Sequence, residues 1–191
     1  MVPRCRDQSG AVLVEMAFVL PVLAVLVFGV IEFGNVYNNL QAVRHGVRQG
    51  ARQGAAATNF GTAPSCTLTG VTGSPSQDVQ QIMCMTHQDA GLGGSSNLRV
   101  KVLFASPDLS TEVPGGGYTT GNALIVCAEA PISSFTGLFA PFLDGKFMKS
   151  KAAIRIENNQ PTGDMQIETD GAETPPTGGD WGWCTPSSQS P

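Results

Sequence analysis

The sequence has little charge, few histidines and no basic residue after Arg155. Charged side chains make up 14% of its 191 residues, and 15 acidic against 11 basic residues give a formal net charge of -4. A chain with this balance lacks the basic surface that nucleic-acid binding requires. Its length allows one domain of ordinary size together with a tail. We therefore expect no nucleic-acid partner.

The scarcity of histidine argues against most catalytic and metal sites. His45 and His87 are the two histidines, and neither lies in a nucleophile, metal or phosphate-loop motif. Asp144-Gly145 and the three glycines at 115–117 are typical of turns rather than of ligand sites. We predict that the chain is not an enzyme and that it has no cofactor, no metal site and no small-molecule substrate.

The C-terminal segment has acidic residues but no basic ones. It is rich in proline, glycine, serine and threonine, and it contains Asp164, Glu168, Asp170, Glu173 and Asp180. Segments of this composition bury too little apolar surface to offset the entropy that ordering costs. The composition predicts a solvated, disordered tail over residues 158–191.

A long apolar run lies near the N-terminus. The 21 residues from Ala11 to Ile31 contain one charged side chain, Glu15, and about 20 apolar residues suffice to cross a bilayer. A secretory signal peptide is the alternative, because Arg4 and Arg6 precede the run. A signal core, however, has about 7–15 residues and leads to a small-residue cleavage site, which is missing here. The run predicts a transmembrane helix over residues 11–33.

Glu15 places a carboxylate at the beginning of this apolar run. Such a side chain can extend to the membrane interface or interact with the helix N-terminus, without any further function. Alternatively it has a specific partner, as acidic groups inside membranes usually do. Composition and length alone leave both interpretations open.

The residues around Glu15 resemble a type IV prepilin processing site. A short basic leader, "RCRDQSG", ends in Gly10, and the apolar segment "AVLVE" then places Glu15 at its fifth position. With "LPVL", "FGVIEFG" and the "ARQGA" helix that follow, residues 9–57 resemble the TadE-like family, the minor pilin-like proteins of Flp (tight adherence) pili. Met16 departs from the family pattern, which commonly has Phe after the Glu.

The resemblance implies processing and assembly. A membrane-embedded prepilin peptidase would cut between Gly10 and Ala11 on the cytoplasmic side and remove residues 1–10 as a leader. The new ammonium of Ala11 would then meet the Glu15 carboxylate of a neighbouring subunit. The implied partners are the prepilin peptidase, other pilin-like subunits with the pilus assembly machinery, and membrane lipid.

The implied location is the bacterial cytoplasmic membrane, with a short cytoplasmic N-terminus and an extracytoplasmic head, in or outside the pilus. Basic residues do not favour this orientation, since Arg44, Arg48 and Arg52 follow the span whereas Arg4 and Arg6 precede it. We nevertheless predict it, because long domains translocate with little regard to charge and the cysteines indicate an oxidising compartment.

Four cysteines remain once the leader and its Cys5 are set aside. Cys66, Cys84, Cys127 and Cys184 allow three pairings. We favour Cys66 with Cys84, which flank a short loop and helix, and Cys127 with Cys184, which would attach the tail to the head. A zinc site is an alternative, although the spacings lack the usual close pairs, and free buried thiols are another.

Residues 34–57 predict an extension of the membrane helix. A four-residue repeat places Gly46, Gly50 and Gly54 on one stripe of this helix and three arginines on another. Each glycine weakens a helix by roughly 1 kcal/mol relative to alanine, so we expect close packing in compensation, either against the protein's own sheet or against another subunit. The arginines form a solvated face or bind acidic partners or lipid headgroups.

Residues 58–157 predict an α+β head. "SPSQ" at Ser74–Gln77 is typical of a helix start, and the helix should end near Gly91. Three segments then have strand patterns: "NLRVKVLFA" and "MKSKAAIRIE" alternate, and "ALIVCAEA" is apolar on both faces. We expect a pilin-like fold in which the long helix extends into a small head with a three-stranded antiparallel sheet.

Three aromatic residues lie between the second and third predicted strands. Phe135, Phe139 and Phe142 share one face if this segment is helical. Packing into the core is the simpler interpretation, and contact with the membrane surface is the alternative.

Two functions remain compatible with these patterns. One is a minor pilin-like structural component in the assembly of Flp/Tad pili. The other is a single-pass, membrane-anchored binding or adhesion protein that joins no filament. Cleavage after Gly10 distinguishes them, because the first function requires it and the second does not.

Overall fold

The computed structural model describes residues 9–56, 66–91, 97–157 and 170–187. Most of the predicted leader and the segments at 57–65 and 92–96 lie outside these ranges. The helices and strands are, in chain order, α1 (Ser9–Ala56), α2 (Gln77–Ala90), β1 (Arg99–Ala105), β2 (Ala123–Pro131), α3 (Ala140–Leu143), β3 (Phe147–Arg155) and β4 (Gly171–Ala172).

α1 is a single helix of 48 residues, roughly 72 Å long at 1.5 Å per residue. Its first half is apolar and exposed, and Pro21 lies inside it without ending it. Its second half buries Val43, Val47 and Ala51 in the head. One helix therefore forms both the predicted membrane span and part of the core, as the sequence predicts.

The sheet has strand order β3-β2-β1-β4, and every pair is antiparallel. The three predicted strands form its body, with Val126 of β2 opposite Val102 of β1 on one side and Ala152 of β3 on the other. The prediction of three strands omitted β4, which pairs with Lys101 and Val102 of β1. Two residues within an acidic segment carry no strand pattern, so β4 depends on its tertiary contacts.

The core lies between one face of the sheet and the two long helices. Alternate residues of the strands face α1 and α2, as the predicted inward positions require. They include Leu98, Val100, Val102, Phe104, Leu124, Val126, Ala128, Met148 and Ile156. The antiparallel sheet and the long helix confirm the predicted α+β, pilin-like architecture.

α2 begins two residues later than the sequence motif indicates. Ser76, not Ser74, is the N-cap: its backbone is extended and its side chain accepts a hydrogen bond from the N–H of Val79 at 3.3 Å. Ser74 has a positive φ of 50° and lies in the turn before the helix. The helix ends at Gly91, whose φ of 58° suits the left-handed cap position.

The tail is ordered over residues 170–187, contrary to the prediction of disorder for 158–191. Trp181, Trp183 and Cys184 pack on the second face of the sheet, against Ile125 and Cys127. This segment is ordered despite its composition because two aromatic residues and a disulfide bury part of it against the sheet. Residues 158–169 and 188–191 lie outside the described ranges.

The segment between β2 and β3 contains only one short helix, α3, of four residues. Phe135 and Phe142 are 78% and 74% exposed, so the interpretation as core residues is wrong for both. Four residues are too few to gather the three rings on one helical face. Phe139 instead contacts α1.

Candidate functional site

The start of α1 carries the predicted processing and assembly residues. Gly10, Ala11 and Glu15 all lie in the first two turns of the helix, and all three are exposed. Glu15 follows Ala11 by four residues, so the two lie on the same face of the helix. The structure thus places the three residues together, away from the head.

The helix from Gly10 is long and apolar enough to cross a membrane, judged by length and composition. Its large apolar side chains from Val12 to Phe33 are exposed rather than packed in the protein. An exposed apolar surface of this extent is unfavourable in water. These properties are consistent with single-pass membrane anchoring.

Glu32 lies at the far end of this apolar surface and is fully buried. Its Oε1 accepts a hydrogen bond from the N–H of Phe135 at 2.6 Å, and its Oε2 accepts hydrogen bonds from the N–H and the hydroxyl of Thr136 at 3.1 and 3.0 Å. Charge-assisted bonds of this kind are among the stronger ones in proteins. The head is thereby attached to α1 at the end of the predicted span.

Sequence reasoning did not identify the role of Glu32. The signal available was an acidic residue at the end of a span, which requires a partner. Its partners, the backbone of Phe135 and the backbone and hydroxyl of Thr136, are about a hundred residues away in the sequence and carry no pattern that indicates anion binding.

Phe139 adds an apolar contact beside this carboxylate. Its ring centroid is 5.9 Å from that of Phe33. A Cβ at Gly29 would lie 3.4 Å from the same ring, so Phe139 covers the helix where Gly29 leaves space. The segment after β2 is thus held against the last turn of the predicted span by polar and apolar contacts.

The three glycines of the extension face the protein's own head. A Cβ at Gly46 would lie 2.6 Å from the backbone N of Ala90 in α2, and one at Gly50 would collide with the side chain of Thr86. At Gly54 it would meet Ile82 of α2 at 2.9 Å and Leu124 of β2 at 2.7 Å. The predicted packing against the protein's own sheet is thus correct only for Gly54, because Gly46 and Gly50 pack on α2 instead.

The arginine stripe lies on another side of α1. Arg48 and Arg52 are exposed and Arg44 is half-buried, and all three line one shallow, open depression along the helix. This arrangement fits the predicted solvated face and leaves the cations accessible to an anionic partner.

Two disulfides connect the head. Cys66 bonds to Cys84 with a Cα–Cα distance of 5.5 Å, and Cys127 bonds to Cys184 with a Cα–Cα distance of 6.2 Å. This is the pairing that the sequence analysis favours over zinc binding or free thiols. In the described ranges, no three His, Cys, Asp or Glu side chains converge in a way that could hold a metal ion.

Two acidic residues of the tail are structural, which the sequence does not reveal. Glu173 is buried and accepts hydrogen bonds from the backbone N–H groups of Thr69 and Val100, and it pairs with Nε2 of His87 at 2.7 Å. Asp170 accepts a hydrogen bond from the N–H of Phe104 at 2.9 Å. Both carboxylates attach the tail to the sheet edge at β1.

A second polar cluster lies under Trp183. Nζ of Lys149 is 3.6 Å from Oε1 of buried Glu129 and 5.5 Å from the centre of the Trp183 ring. Burial raises the pKa of Glu129, and the charge of Lys149 opposes this shift. Lys151 donates a hydrogen bond to the carbonyl of Thr185 at 2.7 Å. The predicted outward lysines of β3 therefore contact the tail.

Comparison with protein families agrees with the motifs of α1. Residues 10–52 match the family model described as TadE-like protein. No curated protein and no solved structure matches the chain. The resemblance is thereby confirmed for the N-terminal helix, whose residues 10–52 are similar to the TadE-like family.

Proposed function

We propose that this protein is a minor pilin-like structural component in the assembly of Flp/Tad pili. The observation that carries the proposal is the TadE-like match over residues 10–52, which begins at the proposed processing site and extends through the span into the helix extension. Exposed apolar side chains on the first half of α1 support a membrane or filament environment for that half.

Processing at Gly10 is the first part of the proposal. A prepilin peptidase cuts between Gly10 and Ala11, where the absence of a side chain at Gly10 gives the backbone close access to a narrow cleft. Both residues are exposed at the beginning of α1. The cut leaves a positive ammonium on Ala11, at the membrane surface.

The first test is the N-terminal residue of the protein isolated from membranes of a host that has its own prepilin peptidase. We expect Ala11 in that host and the intact leader in the same host without the peptidase. An intact leader in both hosts would contradict the proposal and favour a membrane-anchored binding or adhesion protein that joins no filament.

Glu15 is the assembly residue in the proposal. Its carboxylate pairs with the Ala11 ammonium of a neighbouring subunit, and this attraction is strong where water is excluded. An unpaired carboxylate in the same place would be costly. The pair therefore favours one axial register between neighbouring helices.

The variant Glu15→Ala tests this role. We expect normal membrane insertion and processing but reduced recovery with pilus components, because only the pairing group is lost. Membrane fractionation and the N-terminal residue serve as controls for insertion and cleavage. Recovery equal to that of the unmodified protein would show that Glu15 is not required for assembly.

The proposed location is the cytoplasmic membrane, with the head on the extracytoplasmic side. Two disulfides in the head suit an oxidising compartment. The proposed partners are the prepilin peptidase, other pilin-like subunits with the assembly machinery, and lipid. We further propose that the protein has no catalytic activity of its own.

A further inference from the structure

Residues 132–143, here named the apolar loop, connect β2 to β3 and contain no charged side chain. Phe135, Leu138 and Phe142 within it are 78%, 50% and 74% exposed. Three large apolar side chains exposed in one short loop are unusual on a surface that faces water.

The apolar loop lies beside the end of the predicted span. Phe139 packs on Phe33 and covers Gly29, both in the last turn and a half of the span. The neighbouring residues of α1, Val30 and Ile31, are themselves exposed and apolar. The exposed surface of the loop is therefore continuous with the surface of α1 that faces lipid in the proposed function.

The burial of Glu32 removes one charge from the contact between the loop and α1, whereas the charged residues Asp144 and Lys146, which follow the loop, are exposed. The Glu32 carboxylate would oppose contact with lipid if it were uncovered. The loop encloses it and supplies hydrogen bonds from the side chain of Ser134, the backbone of Phe135, and the backbone and hydroxyl of Thr136. The same contacts fix the loop on α1, so its aromatic side chains are held at one depth.

We propose that the apolar loop inserts Phe135, Leu138 and Phe142 into the boundary between headgroups and acyl chains on the head side of the membrane. Aromatic side chains are favoured at this depth of a bilayer. The inference rests on the proposed single-pass anchoring through α1. It adds a second contact with lipid, which fixes how the head is turned about the axis of α1.

Nitroxide spin labels on the full chain in phosphatidylcholine–phosphatidylglycerol vesicles test this proposal. Cys5→Ser removes the one cysteine that is not in a disulfide. A single new cysteine for labelling then replaces Phe135, Phe142, Val22 or Thr119. Val22 lies in the middle of the predicted span. Thr119 is the aqueous reference position, because it is exposed and far from the predicted span. The neighbouring Tyr118 donates a hydrogen bond to the carbonyl of Gly54, and Gly54 is roughly 33 Å along α1 from Glu32.

The measured quantity is the collision rate of each label with oxygen divided by its collision rate with an aqueous nickel complex. We expect this ratio at Phe135 and Phe142 to be several-fold above that at Thr119 and below that at Val22. A ratio at both loop positions equal to that at Thr119 would overturn the proposal while Val22 still reports lipid. An aqueous Val22 label would overturn the anchoring as well. Spin–spin broadening that grows with the protein-to-lipid ratio would assign the loop to a second copy instead.

Glu32→Ala tests the attachment of the loop. Without the carboxylate, the N–H groups of Phe135 and Thr136 lose their acceptor, so we expect the collision ratio at Phe142 to decrease toward that at Thr119. Glu157→Ala, at an exposed site, is the matched control and should leave the ratio unchanged. An unchanged ratio in Glu32→Ala would overturn the role given to Glu32.

Discussion

Glycine at position 50 allows α1 and α2 to approach closely. A side chain there would collide with Thr86, which is fully buried and donates its hydroxyl hydrogen to the carbonyl of Ile82 at 2.9 Å. Thr86 therefore has little freedom to move aside. Close packing compensates for the weak helix propensity of the glycine.

We predict that Gly50→Ala lowers the free energy of unfolding of the head by about 1–3 kcal/mol, because overpacking outweighs the gain in helix propensity. Denaturant unfolding in detergent, followed through the fluorescence of Trp181 and Trp183, measures this change. Gly34→Ala is the matched control: a Cβ there meets nothing within 4 Å, so its stability should be equal or up to about 1 kcal/mol higher. Equal stabilities of the two variants would contradict the packing argument.

At the level of elements, one of the two carboxyl groups that attach the tail to the sheet, that of Asp170, has a raised pKa. Burial and the nearby carboxylate of Glu112 raise the pKa of Asp170 to about 7, although the N–H of Phe104 and the charge of Lys101 oppose the shift. In the unfolded chain the pKa of an aspartate is about 3.9. Between these values the folded protein binds a proton that the unfolded chain does not.

The free energy of unfolding should therefore decrease as pH rises from about 4 to about 7, with a slope of at most about 1.4 kcal/mol per pH unit from this group. Asp170→Asn keeps an oxygen that accepts from Phe104 and removes the titration. We predict that the variant gains stability relative to the unmodified protein across this range, as measured by denaturant unfolding at successive pH values.

Asp108→Asn is the control for this pH dependence. Hydrogen bonds from Ser106 and Ser110 lower the pKa of Asp108. Its contribution to the free energy of unfolding is therefore lost only when the pH is lowered below about 4. The pH profile of this variant from 4 to 7 should parallel that of the unmodified protein. A parallel profile for Asp170→Asn as well would show that Asp170 is ionised throughout the range.

The elements that sequence reasoning predicted correctly are those with a local pattern. The apolar run and the four-residue repeat predict α1, and alternation predicts β1 and β3. The predicted bond between Cys127 and Cys184 attaches the tail to the head, but β4 and the extent of the ordered tail could not be predicted, because these residues acquire structure only from the sheet beneath them. The enclosure of Glu32 has the same cause, since its donors are backbone and hydroxyl groups of a distant loop.

On the scale of the whole molecule, α1 contributes to two environments. Its first half exposes apolar side chains, and its second half is part of the head's core through Val43, Val47 and Ala51. The head is therefore not suspended on a flexible linker: the described part of α1 is one helix from Ser9 to Ala56. Any rotation or tilt of the first half is transmitted directly to the head.

Under the proposed topology, the bond between Cys127 and Cys184 would form late in biogenesis. In that topology, Cys66 and Cys84 reach the oxidising side early, whereas Cys184 arrives after the whole sheet has been translocated. Until then, Ile125 and its neighbours on the second face of the sheet lack the cover that Trp181 and Trp183 provide. A newly exported head would thus present an uncovered apolar surface to chaperones or to other subunits. Formation of the second disulfide would cover this surface.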